Sequence, residues 1–99
     1  MICALTVRKL KPGTFDQFRE AFMAGEEDAN MPAGSQFFMV RSKEDPDEVI
    51  SFGLFDGTVE ELRSSGAYSD YEKQLAAIAP FIESVGADGI YEVVEHETA

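Results

Sequence analysis

Two β-favouring runs, Phe37 to Arg41 and Val49 to Phe55, flank the polar turn KEDPDE, and the second leads almost directly into a helix start at Thr58. Residues 37 to 63 must therefore form a hairpin that feeds a helix, because Pro46 and its acidic neighbours favour a turn and interrupt strand pairing. Thr58 and Glu61 stand at capping-box spacing. The threonine hydroxyl accepts from the Glu61 amide while the glutamate carboxylate reaches back to the Thr58 amide, which places the helix start within a residue or two.

The remaining segments fall into place around this unit. Residues 2 to 10 favour a strand, which Lys11, Pro12 and Gly13 break before Thr14 and Gln17 form a second capping box. Phe15, Phe18 and Phe22 then recur on one helical face, with Asp16 and Glu20 free to face water. Gly25 and the acidic run Glu26, Glu27 and Asp28 should end this helix, since carboxylates at its C-terminus oppose the macrodipole. A loop through Asn30, Pro32 and Gly34 leads to the hairpin. The helix from Thr58 should break near Ser64, Ser65 and Gly66 and resume with a stripe of Tyr68, Tyr71, Leu75, Ile78 and Ile82, kinked by Pro80 in its last turn. Gly86 and Gly89 are expected to bracket a turn into a last strand, Ile90 to Glu95. With no repeat, low-complexity tract or linker, residues 1–99 read as one domain.

The order strand, helix, strand, strand, helix, strand is that of a ferredoxin-like α+β sandwich with a four-stranded antiparallel sheet. Its helices cover one face of the sheet and leave the other bare. In this chain neither face is polar. Cys3, Leu5 and Val7 alternate with Ile2, Ala4, Thr6 and Arg8, and Ile50, Phe52 and Leu54 with Val49, Ser51, Gly53 and Phe55. A sheet covered on one side normally alternates apolar with polar, so two largely apolar faces call for a second cover. A second copy related by a twofold axis would supply it and close a dimeric barrel.

Composition narrows the partners. A formal charge of −11 repels nucleic acid and anionic membrane surfaces. The single cysteine, Cys3, lies in an apolar strand and reads as a small buried hydrophobe. The apolar start MICALTV is too short to span a membrane and lacks a basic region ahead of it, so it reads as a first strand in a cytoplasmic protein. His96, the only histidine, lies in the terminal EHETA, where chain ends fray and a general base would lack a fixed position. Neither Glu26, Glu27 and Asp28 nor Glu95, His96 and Glu97 have ligand spacing for a metal. No phosphate loop, dinucleotide fingerprint or nucleophile elbow is present, so no cofactor is expected.

The turn KEDPDE, the passage VISFGLFDGTVEEL and the entry KPGTFDQF resemble the dimeric α+β barrel proteins grouped with the antibiotic biosynthesis monooxygenases, over nearly the whole chain. The resemblance implies a homodimer, with a small pocket between the helices and one sheet face and with the other face forming the intersubunit barrel. Side-chain bulk alone would put Leu5, Val7, Ile50, Phe52 and Leu54 under the helices; the resemblance puts the smaller Ala4, Thr6, Ser51 and Gly53 there. Haem-degrading relatives use an asparagine, a tryptophan and a histidine where Thr6, Phe55 and either Ser64 or Ser65 stand, so haem oxygenation is not expected. Cofactor-independent relatives orient an electron-rich aromatic compound and stabilise its phenolate while it reacts with oxygen. For that chemistry, for a related isomerase or cyclase reaction of the same superfamily, or for binding a small aromatic or polyketide-like ligand without turnover, the candidates are Thr6, Arg8, Ser51, Gly53, Phe55, Tyr68 and Tyr71. A purely structural homodimer is the alternative. In that case Arg8 snorkels to water and the tyrosines are core residues with satisfied hydroxyls.

Overall fold

A computed structural model describes the backbone of residues 1–27, 34–64 and 67–98, and all side chains within these ranges except those of residues 25–27 and 67–70. Strand β1 (Ile2–Leu10) leads into helix α1 (Phe15–Glu27). The hairpin strands β2 (Gln36–Arg41) and β3 (Glu48–Phe55) follow. The second helical region consists of α2 (Val59–Ser64) and α3 (Ala67–Ile78), and a 3₁₀ turn (Ala79–Phe81) leads into β4 (Ile82–Glu92). The four strands form one antiparallel sheet in the order β2-β3-β1-β4. This is the ferredoxin-like arrangement read from the sequence; the break expected near Ser64, Ser65 and Gly66 falls on residues 65 and 66, which lie outside the described residues.

Local chemistry explains most boundaries. The Glu61 amide donates to Thr58 Oγ1 at 3.1 Å, so Thr58 caps α2 as expected, while the Glu61 carboxylate accepts from the Thr58 hydroxyl at 3.2 Å. The cap expected from Thr14 and Gln17 is different: the Thr14 hydroxyl donates to the carbonyls of Lys11 (2.8 Å) and Phe81 (3.3 Å). Those bonds tie the start of α1 to the turn that ends α3. On α1, Phe18 and Phe22 are buried, and Phe22 stacks on Phe37 of β2 with centroids 5.4 Å apart. At the hairpin turn, the Arg41 guanidinium lies 4.2 Å above the Phe15 ring and its Nε donates to the Pro46 carbonyl.

The helices cover the face of Ile2, Thr6, Arg8, Leu10, Val49, Ser51 and Phe55, all buried. This is the small-residue face, as the resemblance implied and side-chain bulk did not. Two apolar clusters lie on it. Leu10, Phe18, Phe22, Val49 and Ile78 form one toward α1 and the end of α3; Ile2, Phe55 and Leu62 form the other toward α2. Each large side chain so buried contributes about 1.5 to 3 kcal/mol relative to exposure. The opposite face carries Cys3, Leu5, Val7, Ile50, Phe52 and Leu54. There the exposed Phe38 ring stacks on Phe52 with centroids 4.9 Å apart.

The C-terminal third differs from the sequence expectation. Helix α3 ends at Ile78, Pro80 lies in the 3₁₀ turn, and β4 starts at Ile82 and stops at Glu92. Gly86 and Gly89 lie within this strand and do not bracket a turn. Pro80 cannot donate a helical hydrogen bond and crowds the turn before it, so the helix stops instead of kinking. Ile82 is consequently a strand residue paired with Leu10. Two irregularities in the pairing with β1, between Thr6 and Arg8 and between Lys9 and Leu10, absorb extra residues of β4. The buried stripe of α3 also moves. It includes Gln74 and Ile78, while Leu75 is exposed.

Candidate functional site

Thr6, Arg8, Ser51 and Gln74 are the buried polar residues among those described. Register explains the grouping on the sheet. Thr6 lies opposite Ser51 on β3 and opposite Asp88 on β4, so one row across three strands carries Asp88, Thr6 and Ser51. Arg8 is two residues further along β1 on the same face. Gln74 reaches across from α3 and its Nε2 donates to the Phe22 carbonyl at 2.8 Å, joining the two helices above the sheet.

Arg8 dominates the site. It is 1% exposed, so it does not snorkel to water. Its Nη1 donates to Ser51 Oγ at 2.8 Å and its Nη2 to the Tyr71 hydroxyl at 3.3 Å. The guanidinium carbon lies 5.9 Å from the Phe18 ring centroid and 5.6 Å from that of Phe22, within cation–π range. Its buried Nε has no hydrogen-bond partner among the described residues. Nor does any described carboxylate form an ion pair with it. Burial pushes the guanidinium below its ordinary pKa, while Tyr71 and the charge of Asp88 act in the opposite direction.

The other candidates are distributed around this centre. Thr6 Oγ1 donates to Asp88 Oδ1 at 3.0 Å, holding that carboxylate toward the helix-covered face. Phe55 belongs to the α2-side cluster, and its ring covers Gly53, where an added Cβ would come within 3.0 Å of it. Gly53 is thus space for Phe55. The Tyr68 side chain lies outside the described residues. The structure therefore brings Thr6, Arg8, Ser51 and Tyr71 together and places Gly53 and Phe55 beside them. Sequence reading missed Gln74 and Asp88. A single glutamine among helical residues carries no periodic signal, and Asp88 was hidden by the expectation of a turn between Gly86 and Gly89.

Elsewhere, His96 is exposed beyond β4, and the described residues contain no group of three or more metal-ligating side chains. Cys3 is half-buried on the open face, where partial burial raises its thiol pKa. No helix among the described residues is long and apolar enough to cross a membrane.

An antiparallel ferredoxin-like sheet with a buried arginine between sheet and helices defines the class, and comparison with solved structures adds the fold family. A candidate antibiotic biosynthesis monooxygenase from Nitrosomonas europaea superposes with a TM-score of 0.75 at 17% identity, over 96% of this chain and 100% of that one. Another, from Caulobacter crescentus CB15, gives 0.72 at 19% identity over 97% and 90%. A third, from Chloroflexus aurantiacus J-10-fl, gives 0.71 at 16% identity over 97% and 96%. At these identities the likeness is one of fold, and the fold is the one that the sequence resemblance implied. No protein-family model matches the chain, and no curated protein matches it.

Proposed function

We propose that this protein is a homodimer in which each subunit binds a small hydroxylated aromatic or polyketide-like compound at Arg8 and promotes its direct oxidation by dioxygen, without a cofactor, in the cytoplasm. The observation that carries the reading is the buried guanidinium with an unmet N–H and no carboxylate partner among the described residues. Burying a charge without a counter-ion costs several kcal/mol, roughly, and an apolar side chain of similar size would fill the same space more stably. A charge kept under those conditions is suited to stabilising a ligand anion. The neighbouring names point the same way, since the similar solved structures are described as candidate antibiotic biosynthesis monooxygenases.

In the proposed reaction the substrate supplies its own electrons. A hydroquinone-type ring loses its hydroxyl proton, and Arg8 stabilises the resulting phenolate. The electron-rich ring then reacts with dioxygen; one oxygen atom enters the ring as a hydroxyl, the ring is left oxidised to the quinone, and the two hydrogens it gives up leave with the other oxygen as water. Chain residues contribute position and electrostatics. Arg8 faces the oxyanion, Phe18 and Phe22 flank the site, and Tyr71 is the contact that a ligand oxygen would replace, because its 3.3 Å bond to Nη2 is the longer of the two.

Dimerisation is supported by the open sheet face. Leu5, Val7, Ile50, Phe52 and Leu54 form an apolar surface bordered by the exposed Phe38, Val40 and Tyr91. A second copy would bury this surface.

One observation favours a non-catalytic reading. Ser51 and Tyr71 already engage both terminal nitrogens of Arg8, which is itself 1% exposed, as a packed structural arginine would be. Oxygen uptake with naphthalene-1,4-diol separates the readings. The monooxygenase reading predicts uptake above the uncatalysed rate in wild type that falls at least tenfold in Arg8→Met. Equal rates in the two proteins would leave ligand binding or a purely structural dimer.

A further inference from the structure

We propose that Asp88 accepts the proton of a hydroxyl-bearing ligand held at Arg8, so that Asp88 and Arg8 form the basic and cationic ends of one site. This rests on the assignment of Arg8 as the ligand site, and it adds a proton acceptor that the other candidates do not provide. Thr6, Ser51 and Tyr71 are neutral hydroxyl groups, whereas an ionised carboxylate only accepts hydrogen bonds and can take a proton.

The geometry gives three reasons. First, Asp88 faces the correct side of the sheet: Thr6 is buried beneath the helices, and its hydroxyl donates to Asp88 Oδ1 at 3.0 Å. Second, the carboxylate is near Arg8 without neutralising it. Thr6 and Arg8 are two residues apart on one strand face, a rise of about 6.8 Å, and the Arg8 side chain leans back toward the row of Thr6 and Ser51, so one ligand hydroxyl can lie between the carboxylate and the guanidinium. The Asp88 charge raises the Arg8 pKa, yet no ion pair joins the two. Third, β4 carries the irregularity between the partners of Thr6 and Arg8, where Asp88 and Val85 pair with successive same-face residues of β1. Such bulges re-aim side chains at the edge of a sheet. Asp88 is itself exposed, so a proton taken from the ligand has a path to water.

The net charge supplies an independent argument for a base. A chain of formal charge −11 repels a ligand that is already ionised, so the neutral hydroxyl form enters more readily and must lose its proton inside. The step is balanced. The ligand O–H bond breaks and an O–H bond forms on an Asp88 carboxylate oxygen, while the electron pair stays on the ligand oxygen facing Arg8. An ordinary phenol is about six pKa units less acidic than an aspartic acid. Arg8 lowers that gap, and a binding probe that is not itself oxidised is a phenol whose hydroxyl is acidified further by an electron-withdrawing group on the ring.

4-Nitrophenol, whose ionised form is yellow, is the probe. At a pH one unit below its own ionisation, wild type should bind it as the yellow anion with no net release of protons, measured by calorimetry in buffers of different ionisation enthalpy. Asp88→Asn should bind it as the yellow anion at least as tightly, because a like charge is gone, but should release about one proton per ligand to the buffer. Equal proton release by the two proteins would overturn the proposal. Binding of the colourless neutral form by wild type would also overturn it while leaving a ligand site intact. Failure of wild type to bind the probe at all would remove the Arg8 site and this role of Asp88 together.

Discussion

Arg8 lies directly opposite Val49 in the β1–β3 register, yet its Nη1 donates to Ser51 Oγ, two residues along β3, at 2.8 Å. The side chain therefore leans along the sheet toward the polar row of Asp88, Thr6 and Ser51, with its guanidinium still beneath the Phe18 and Phe22 rings. This diagonal contact keeps a strand-end arginine under the helices.

Removing the acceptor should therefore be worse than removing the charge. Ser51→Ala leaves buried Nη1 without its partner, and unfolding in urea should show a loss of about 1 to 3 kcal/mol. Arg8→Met keeps most of the volume and removes a buried cation, so its loss should be smaller than that of Ser51→Ala, or stability should rise. The reverse order would show that the Arg8 charge is compensated in the folded protein.

The open sheet face predicts the assembly. Wild type should sediment as a dimer at micromolar concentration, with an interface above the roughly 1,200 to 2,000 Å² of standard-size complexes. Leu5→Asp should give monomer or unfolded chain, because an unpaired charge in that apolar face has no partner. A stable wild-type monomer would contradict the shared barrel.

At Gly53, an added Cβ would lie 3.0 and 3.1 Å from atoms of the Phe55 ring. That ring packs with Ile2 and Leu62 and has little freedom to move away. Gly53→Ala should cost about 1 to 3 kcal/mol in thermal unfolding, and adding Phe55→Leu should recover part of it.

The Lys9–Asp45 ion pair ties β1 to the hairpin turn. Its hydrogen bond to Lys9 holds the Asp45 carboxyl below the usual carboxylate range. A group depressed on folding contributes stability above its unfolded pKa and loses it as pH falls through the folded value, so this contribution should disappear below about pH 4. Lys9 is raised by the same hydrogen bond, and its share persists at neutral pH and is lost only in strong base. Asp45→Asn should flatten the acid side of the urea-midpoint profile.

Much of this structure was legible in the residues. The hairpin, the Thr58 cap and the Phe18–Phe22 face follow from turn chemistry and periodicity, which act locally. The segment VGADGI was not legible, because two glycines within four residues read as a turn, whereas pairing with β1 holds them in a bulged strand. That misreading concealed Asp88. The fate of Arg8 was also hidden, because its contact with Ser51 joins residues separated by 43 positions in sequence. Gln74 left no local signal, since its partner is a carbonyl on another helix.

The most direct test of the central claim is an absorbance titration of 4-nitrophenol into wild type and Arg8→Met, with the fold of each checked by circular dichroism. Wild type should give saturable binding with the spectrum of the ionised probe, and folded Arg8→Met should bind at least tenfold more weakly, without that spectrum. Equal binding by the two proteins, or no binding by wild type, would contradict the assignment of Arg8 as the centre of a ligand site.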